Sequence, residues 1–152
     1  MKSRNWCFTF NNPSEEPSGW CHDNIKFLAY QRECGLLNTE HYQGYLELKT
    51  PRDMITLKRA FGDSIHWETR MGTRAQALRY VTKKSTRVST PIIMHRDDSG
   101  ILKLVGDGEE HFDIDLWVET YLSKGGSKST GKELDRDWET PLLKYVSTHK
   151  SI

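Results

Sequence analysis

Apolar and polar positions alternate most cleanly over residues 40–49. His41, Gln43, Tyr45, Glu47 and Lys49 fall on one side, and Tyr42, Gly44, Leu46 and Leu48 on the other. A period of two predicts a strand whose second face packs on helices, and whose polar face lines a wet surface or a site. Residues 4–10 and 25–33 predict two earlier strands. The first carries Trp6, Phe8, Thr9 and Phe10 and stops at the turn cluster Asn11-Asn12-Pro13-Ser14. On the second, Phe27, Ala29, Gln31 and Glu33 share a face. The period then changes. Met54, Leu57, Lys58 and Phe61 recur at helical spacing between a cap at Asp53 and a stop at Gly62. A short strand over 65–69 and the turn Arg70-Met71-Gly72 lead to a second helix, capped by Thr73 and reaching Lys84. Its apolar stripe is Ala75, Leu78 and Val81, with Tyr80 off that stripe and Lys83 three residues on. This order predicts an α+β domain of about 85–90 residues, an antiparallel sheet with helices on one face.

Residues 91–152 read differently. A hairpin is expected around Asp97-Asp98-Ser99-Gly100, then an amphipathic helix through Ile114, Trp117, Val118, Tyr121 and Leu122 with Asp113 as its cap. A Gly/Ser/Lys-rich stretch follows, and Thr140-Pro141 opens a short terminal helix. The expected organisation is therefore a core over 1–90 and a hairpin-and-helix extension of unassigned role over 91–152.

Charge sharpens this picture more than composition does. The net charge is only +1, yet residues 70–90 carry Arg70, Arg74, Arg79, Lys83, Lys84 and Arg87 and no acid, while 97–119 is strongly acidic. A basic tract of this kind suits a polyanion, although a solvated helix face has the same composition. No apolar run approaches the roughly 20 residues that span a bilayer, so no membrane partner is expected. Cys7, Cys21 and Cys34 form no CxxC pair and read as reduced thiols of an intracellular protein. Cys21-His22 lacks a second ligand pair for zinc. Gly126–Lys132 fits GxxxxGK, but Glu133 follows it and no apolar strand leads into it, so it reads as a linker and not a phosphate loop.

Three blocks carry candidate chemistry. Phe8-Thr9-Phe10-Asn11-Asn12 comes first, His41-Tyr42-Gln43-Gly44 second, and Tyr80-Val81-Thr82-Lys83 third. His41 and Gln43, two residues apart on a strand, can direct their side chains at one ion, and a polar sheet face with no ligand is the plainer alternative. A tyrosine beside a lysine can be a nucleophile aimed at a phosphate or an ordinary packed side chain.

In order and spacing these blocks resemble the FTxNN, H-x-Q-G and YxxK motifs of the rolling-circle replication initiators of circular single-stranded DNA viruses, most closely the circovirus-like branch. The resemblance covers residues 3–87. It implies the HUH endonuclease fold, which is ferredoxin-like, and a DNA nicking and joining activity, endonuclease and nucleotidyltransferase, with Tyr80 as nucleophile and Lys83 as charge stabiliser. It also implies a Mg²⁺ or Mn²⁺ cofactor on Glu33, His41 and Gln43: Glu33 matches the family's carboxylate ligand on the preceding strand, whereas alternation turns Glu40 away from His41 and Glu47, on the right face, sits two residue pairs along. Asn11, Asn12, Arg70, Arg74, Arg79 and Lys84 are the expected DNA contacts. The expected partners are single-stranded DNA at an origin stem-loop and host replication proteins, in the host nucleus for a eukaryotic virus. A non-catalytic single-strand-binding module remains the alternative. The helicase domain that commonly follows in this family has no counterpart in residues 91–152.

Overall fold

The computed structural model describes residues 1–20, 23–35 and 39–126. Expectations for Cys21, His22, the GxxxxGK stretch beyond Gly126 and the terminal helix lie outside the described residues.

Six strands form one sheet: β1 (Ser3–Asn11), β2 (Ile25–Cys34), β3 (Glu40–Arg52), β4 (Ile65–Thr69), β5 (Ile92–Arg96) and β6 (Leu102–Leu104). Their spatial order is β4-β1-β3-β2-β5-β6, with every neighbouring pair antiparallel. Three helices, α1 (Met54–Phe61), α2 (Arg74–Val81) and α3 (Ile114–Tyr121), pack on this sheet. The expected α+β class and antiparallel sheet are borne out. No helix among the described residues is long and apolar enough to cross a membrane.

The helices do not share one face, as the sequence led us to expect. One face buries Trp6, Phe8, Phe10, Leu28, Tyr42, Leu46 and Trp67 against Leu57 and Phe61 of α1. The opposite face buries Cys7, Phe27, Ala29 and Tyr45 against Ala77, Leu78 and Val81 of α2 and Ile114 and Val118 of α3. The face of β3 expected to be wet is therefore largely core: Tyr45 is 0% and Glu47 1% exposed. Polar residues on it signal internal ion pairing as well as a site. β5 pairs with β2, and α3 lies against α2, so residues 92–122 are built onto the same sheet.

One motif glycine has a packing cause. A Cβ on Gly44 would lie 2.0 Å from Phe8 Cζ, and Phe8 stands directly across from Gly44 in the β1–β3 register. The bare backbone of the second motif makes room for the ring of the first.

Candidate functional site

The site is built on one end of the three central strands. Register places Asn11 and Glu33 on either side of His41, and Thr9 and Gln31 on either side of Gln43. All six positions have the parity of the α2-facing side.

Glu33 is fully buried. Its Oε2 accepts from Gln31 Nε2 at 2.8 Å and from Lys83 Nζ at 3.0 Å. Its Oε1 has no hydrogen-bond partner, although His41 Nε2 lies 3.3 Å away. Burial pushes this carboxyl upward, but the His41 imidazole, the Gln31 amide and the Lys83 ammonium outweigh that and hold it below the ordinary carboxylate value. The Lys83 ammonium is shifted down, by burial first, with Glu33 opposing.

His41 Nδ1 is 3.4 Å from the Thr39 carbonyl. His41 Nε2 and Glu33 Oε1, 3.3 Å apart, could both ligate one cation, the imidazole then carrying its proton on Nδ1. Gln43 Nε2 donates to the Phe8 carbonyl at 3.1 Å, and its Oε1 accepts from Thr9 Oγ1 at 3.2 Å. That leaves a second lone pair on the amide oxygen. Carboxylate, imidazole and amide oxygen are donors that suit Mg²⁺ or Mn²⁺. No group of three His, Cys, Asp or Glu side chains arranged for a metal occurs among the described residues; the candidate set here is two such groups and an amide. Glu40 turns outward to Arg32 at 3.2 Å, and Glu47 is committed to Arg74.

Tyr80 reaches this cluster through α2. A capping box starts the helix, with Thr73 Oγ1 accepting from Gln76 N at 3.2 Å and Gln76 Oε1 accepting from Thr73 N at 3.4 Å. The helix ends at Val81, with Thr82 as its C-cap, so Lys83 and Lys84 follow it and do not extend it as the sequence suggested. Lys83 folds back: its ammonium sits 4.1 Å from the centre of the Tyr80 ring and donates to the Tyr80 carbonyl at 3.3 Å. One ammonium thus touches both the tyrosine and Glu33. Tyr80 itself is only 6% exposed, packed with Ala77, Leu78 and Val81, where the sequence placed it off the apolar stripe.

The basic tract divides. Arg70 and Arg74, two of the expected DNA contacts, are buried. Arg74 forks onto Glu47 at 2.6 and 2.9 Å and donates to Tyr121 Oη at 2.6 Å. Arg70 Nη1 donates to Tyr45 Oη at 2.9 Å. Guanidinium groups spent inside the fold are not presented to a phosphate. Arg79 and Lys84 remain on the surface, 3.4 Å from Glu119 and 3.9 Å from Asp115 of α3, in a cleft that Lys83 and Val118 also line. Asn11 and Asn12 are exposed. Asn12 adopts a left-handed turn conformation (φ 46°) and donates its N–H to the Glu40 carbonyl at 3.1 Å. Gln31, Arg87 and Asp115 were not expected as site residues; the sequence marked Gln31 only as sharing the strand face of Glu33, and Arg87 only as part of the basic tract.

The fold and site together define an antiparallel α+β domain in which a buried carboxylate, an imidazole and an amide on adjacent strands meet a tyrosine–lysine pair brought by a helix. The chain belongs to the putative viral replication protein family, whose model matches residues 3–84. It is 40% identical over 86 residues to the master replication protein of Subterranean clover stunt virus (strain F), covering 57% of this chain and 29% of that protein. It is 30% identical over 92 residues to the replication-associated protein of Pigeon circovirus, covering 58% and 29%. With that of Beak and feather disease virus it shares 31% identity over 98 residues, covering 62% and 34%. The chain spans about a third of the length of these curated relatives. The resemblance to the replication initiators of circular single-stranded DNA viruses is borne out.

Proposed function

We propose that this chain nicks and rejoins single-stranded DNA to start rolling-circle replication. The observation that carries the reading is the single Lys83 ammonium held between Glu33 and the Tyr80 ring, which puts the candidate ion ligands and the candidate nucleophile in one site. Tyr80 Oη would attack the scissile phosphorus as the bond to the 3′ oxygen breaks. The products are a 5′-phosphotyrosine and a 3′-hydroxyl, the tyrosine proton replacing phosphorus on the leaving oxygen in the overall balance. Rejoining is the reverse, because the tyrosyl ester retains the phosphodiester's energy. Lys83 neutralises charge that builds on the phosphate. Glu33, His41 and Gln43 would hold Mg²⁺ or Mn²⁺, which polarises and orients the phosphate when bound. The surface residues Arg79 and Lys84 would guide the strand, and the target is an unpaired segment of an origin stem-loop.

The relatives support this by name: they are replication proteins of viruses. Burial of Tyr80 is the observation that favours the alternative, a single-strand-binding module that never cuts. One experiment separates them. The protein is mixed with Mn²⁺ and single-stranded oligonucleotides tiled across a candidate origin, and an SDS-stable protein–DNA adduct is sought. Adduct formation by wild type, lost in Tyr80→Phe and in EDTA, is expected. The same adduct from Tyr80→Phe would refute Tyr80 as nucleophile, and full activity in EDTA would remove the ion from the mechanism. Binding without cleavage on every substrate would leave the module.

A further inference from the structure

The hydrogen bonds behind Glu33 continue past the residues matched by the family model. Gln31 Nε2 donates to Glu33 Oε2 at 2.8 Å and to the Lys83 carbonyl at 2.7 Å. Its Oε1 accepts from Arg87 Nε at 3.1 Å. Arg87 also forks onto Asp115 of α3 at 3.0 and 2.8 Å and donates to the Thr82 carbonyl. Backbone bonds fix the same segment: Val88 N donates to the Arg32 carbonyl at 2.9 Å, and Arg87 forms an isolated bridge with Glu33.

We propose that Gln31 and Arg87 are positioning residues for Glu33 and Lys83, anchored from α3 by Asp115. A guanidinium only donates, so Arg87 compels Gln31 to present Oε1 to it. The Nε2 hydrogens must then face the other way, one to Glu33 and one to the Lys83 carbonyl. Without Arg87 the orientation of the amide rests on its two acceptors alone, and Oε1 loses its partner. With Arg87 in place, Oε2 of Glu33 is occupied by Gln31 and Lys83, and Oε1 is the oxygen left for an ion beside His41. The second bond of Nε2 holds the backbone of Lys83, and so the start of the side chain that reaches Tyr80. The family match stops at residue 84; Arg87 lies just past it within the expected core, and Asp115 lies in what the sequence presented as an extension, so that extension would supply the outer anchor of the candidate site.

This rests on Glu33 being an ion ligand, and the test separates the two. Free Mn²⁺ is measured by electron paramagnetic resonance against the full chain, alongside thermal unfolding. Arg87→Lys keeps a positive charge for Asp115 but cannot meet Gln31, Thr82 and both Asp115 oxygens at once. Gln31→Met keeps the volume and removes the amide, and carries the test should Arg87→Lys fail to fold. Each is expected to raise the Kd for Mn²⁺ about tenfold, the loss typical of removing a partner behind a metal ligand. Asp115→Asn should act in the same direction, by about threefold. Adduct formation by Gln31→Met should recover toward wild type at saturating Mn²⁺. Wild-type binding with every variant within about twofold of it, whatever the Tm, overturns the positioning role alone. A wild type that binds no Mn²⁺ overturns the ion site and this proposal with it.

Discussion

Gly44→Ala offers the sharpest test of how the two strand motifs fit together. The added Cβ would stand 2.0, 2.3 and 2.6 Å from three ring carbons of Phe8. Ordinary contact begins near 3.4 Å, so the ring must retreat by about 1.4 Å (3.4 − 2.0). It has little room, because Trp20 and Trp67 hold it with ring centroids at 5.3 and 5.2 Å. Overpacking by a methyl group ordinarily costs about 1–3 kcal/mol; we expect the upper end, about 3 kcal/mol, since an aromatic ring wedged between two indoles cannot change rotamer to escape. Urea unfolding followed by tryptophan fluorescence measures it, using Gly44→Ala, Phe8→Leu and the double variant. Phe8→Leu alone should cost about 1–2 kcal/mol of lost packing. Leucine gives the new methyl space, so the double variant should be more stable than the two single losses added together, with a coupling of about 1–2 kcal/mol. A Gly44→Ala cost below about 0.5 kcal/mol, or strict additivity, would refute the steric account.

Arg74→Met should destabilise by about 3–5 kcal/mol, read by the same urea titration, because it strands the buried Glu47 carboxylate without its bidentate partner; a loss under about 1 kcal/mol would mean the pair is dispensable. The His95 imidazole is shifted down, by burial first and then by the nearby Arg74 charge. The unfolded chain therefore takes up a proton at higher pH than the folded one, so stability should be lost as pH falls below the ordinary histidine value of 6.5 and regained as it rises. His95→Gln should flatten that part of the pH profile in thermal unfolding, and an unchanged slope would assign it to other groups. Glu119→Gln releases the exposed Arg79 from its partner. Stability should change by less than about 0.5 kcal/mol. Affinity for single-stranded DNA should rise about threefold at low salt by fluorescence anisotropy; unchanged affinity would take Arg79 out of the binding surface.

Much of the fold was legible because strands and caps leave local signals. Asp53 accepts from Thr56 N at 2.9 Å and Thr73 forms its capping box, as their positions suggested. The choice of Glu33 beside His41 came from the family resemblance and from a strand that could pair with that of His41, and the register puts the two opposite each other. What the sequence hid is burial. Alternation says which side chains share a face, not whether that face meets water. Tyr45, Glu47, Arg70 and Arg74 therefore looked like a polar surface and a basic patch, yet they form one internal cluster. Nothing local distinguishes an arginine that binds phosphate from one that neutralises a buried glutamate 27 residues away; only the partner decides.

The motifs themselves make the same point from the other side. In the first block, Phe8 packs beside Gly44 while the next residue, Thr9, holds Gln43. In the second, His41 and Gln43 face the site, and Tyr42 between them turns to the opposite face, where its hydroxyl takes a hydrogen bond from Arg32. Gly44 then opens the space for Phe8. Odd positions of these strings serve the candidate chemistry, and even ones join two strands at the register that aligns it. A slip of one residue would exchange the two sets. The ring lodged over Gly44 therefore does for the site what no ligand residue can: it fixes which face of β3 meets Tyr80. For the same reason the Gly44→Ala variant should show its defect in stability before it shows any in the identity of the nucleophile.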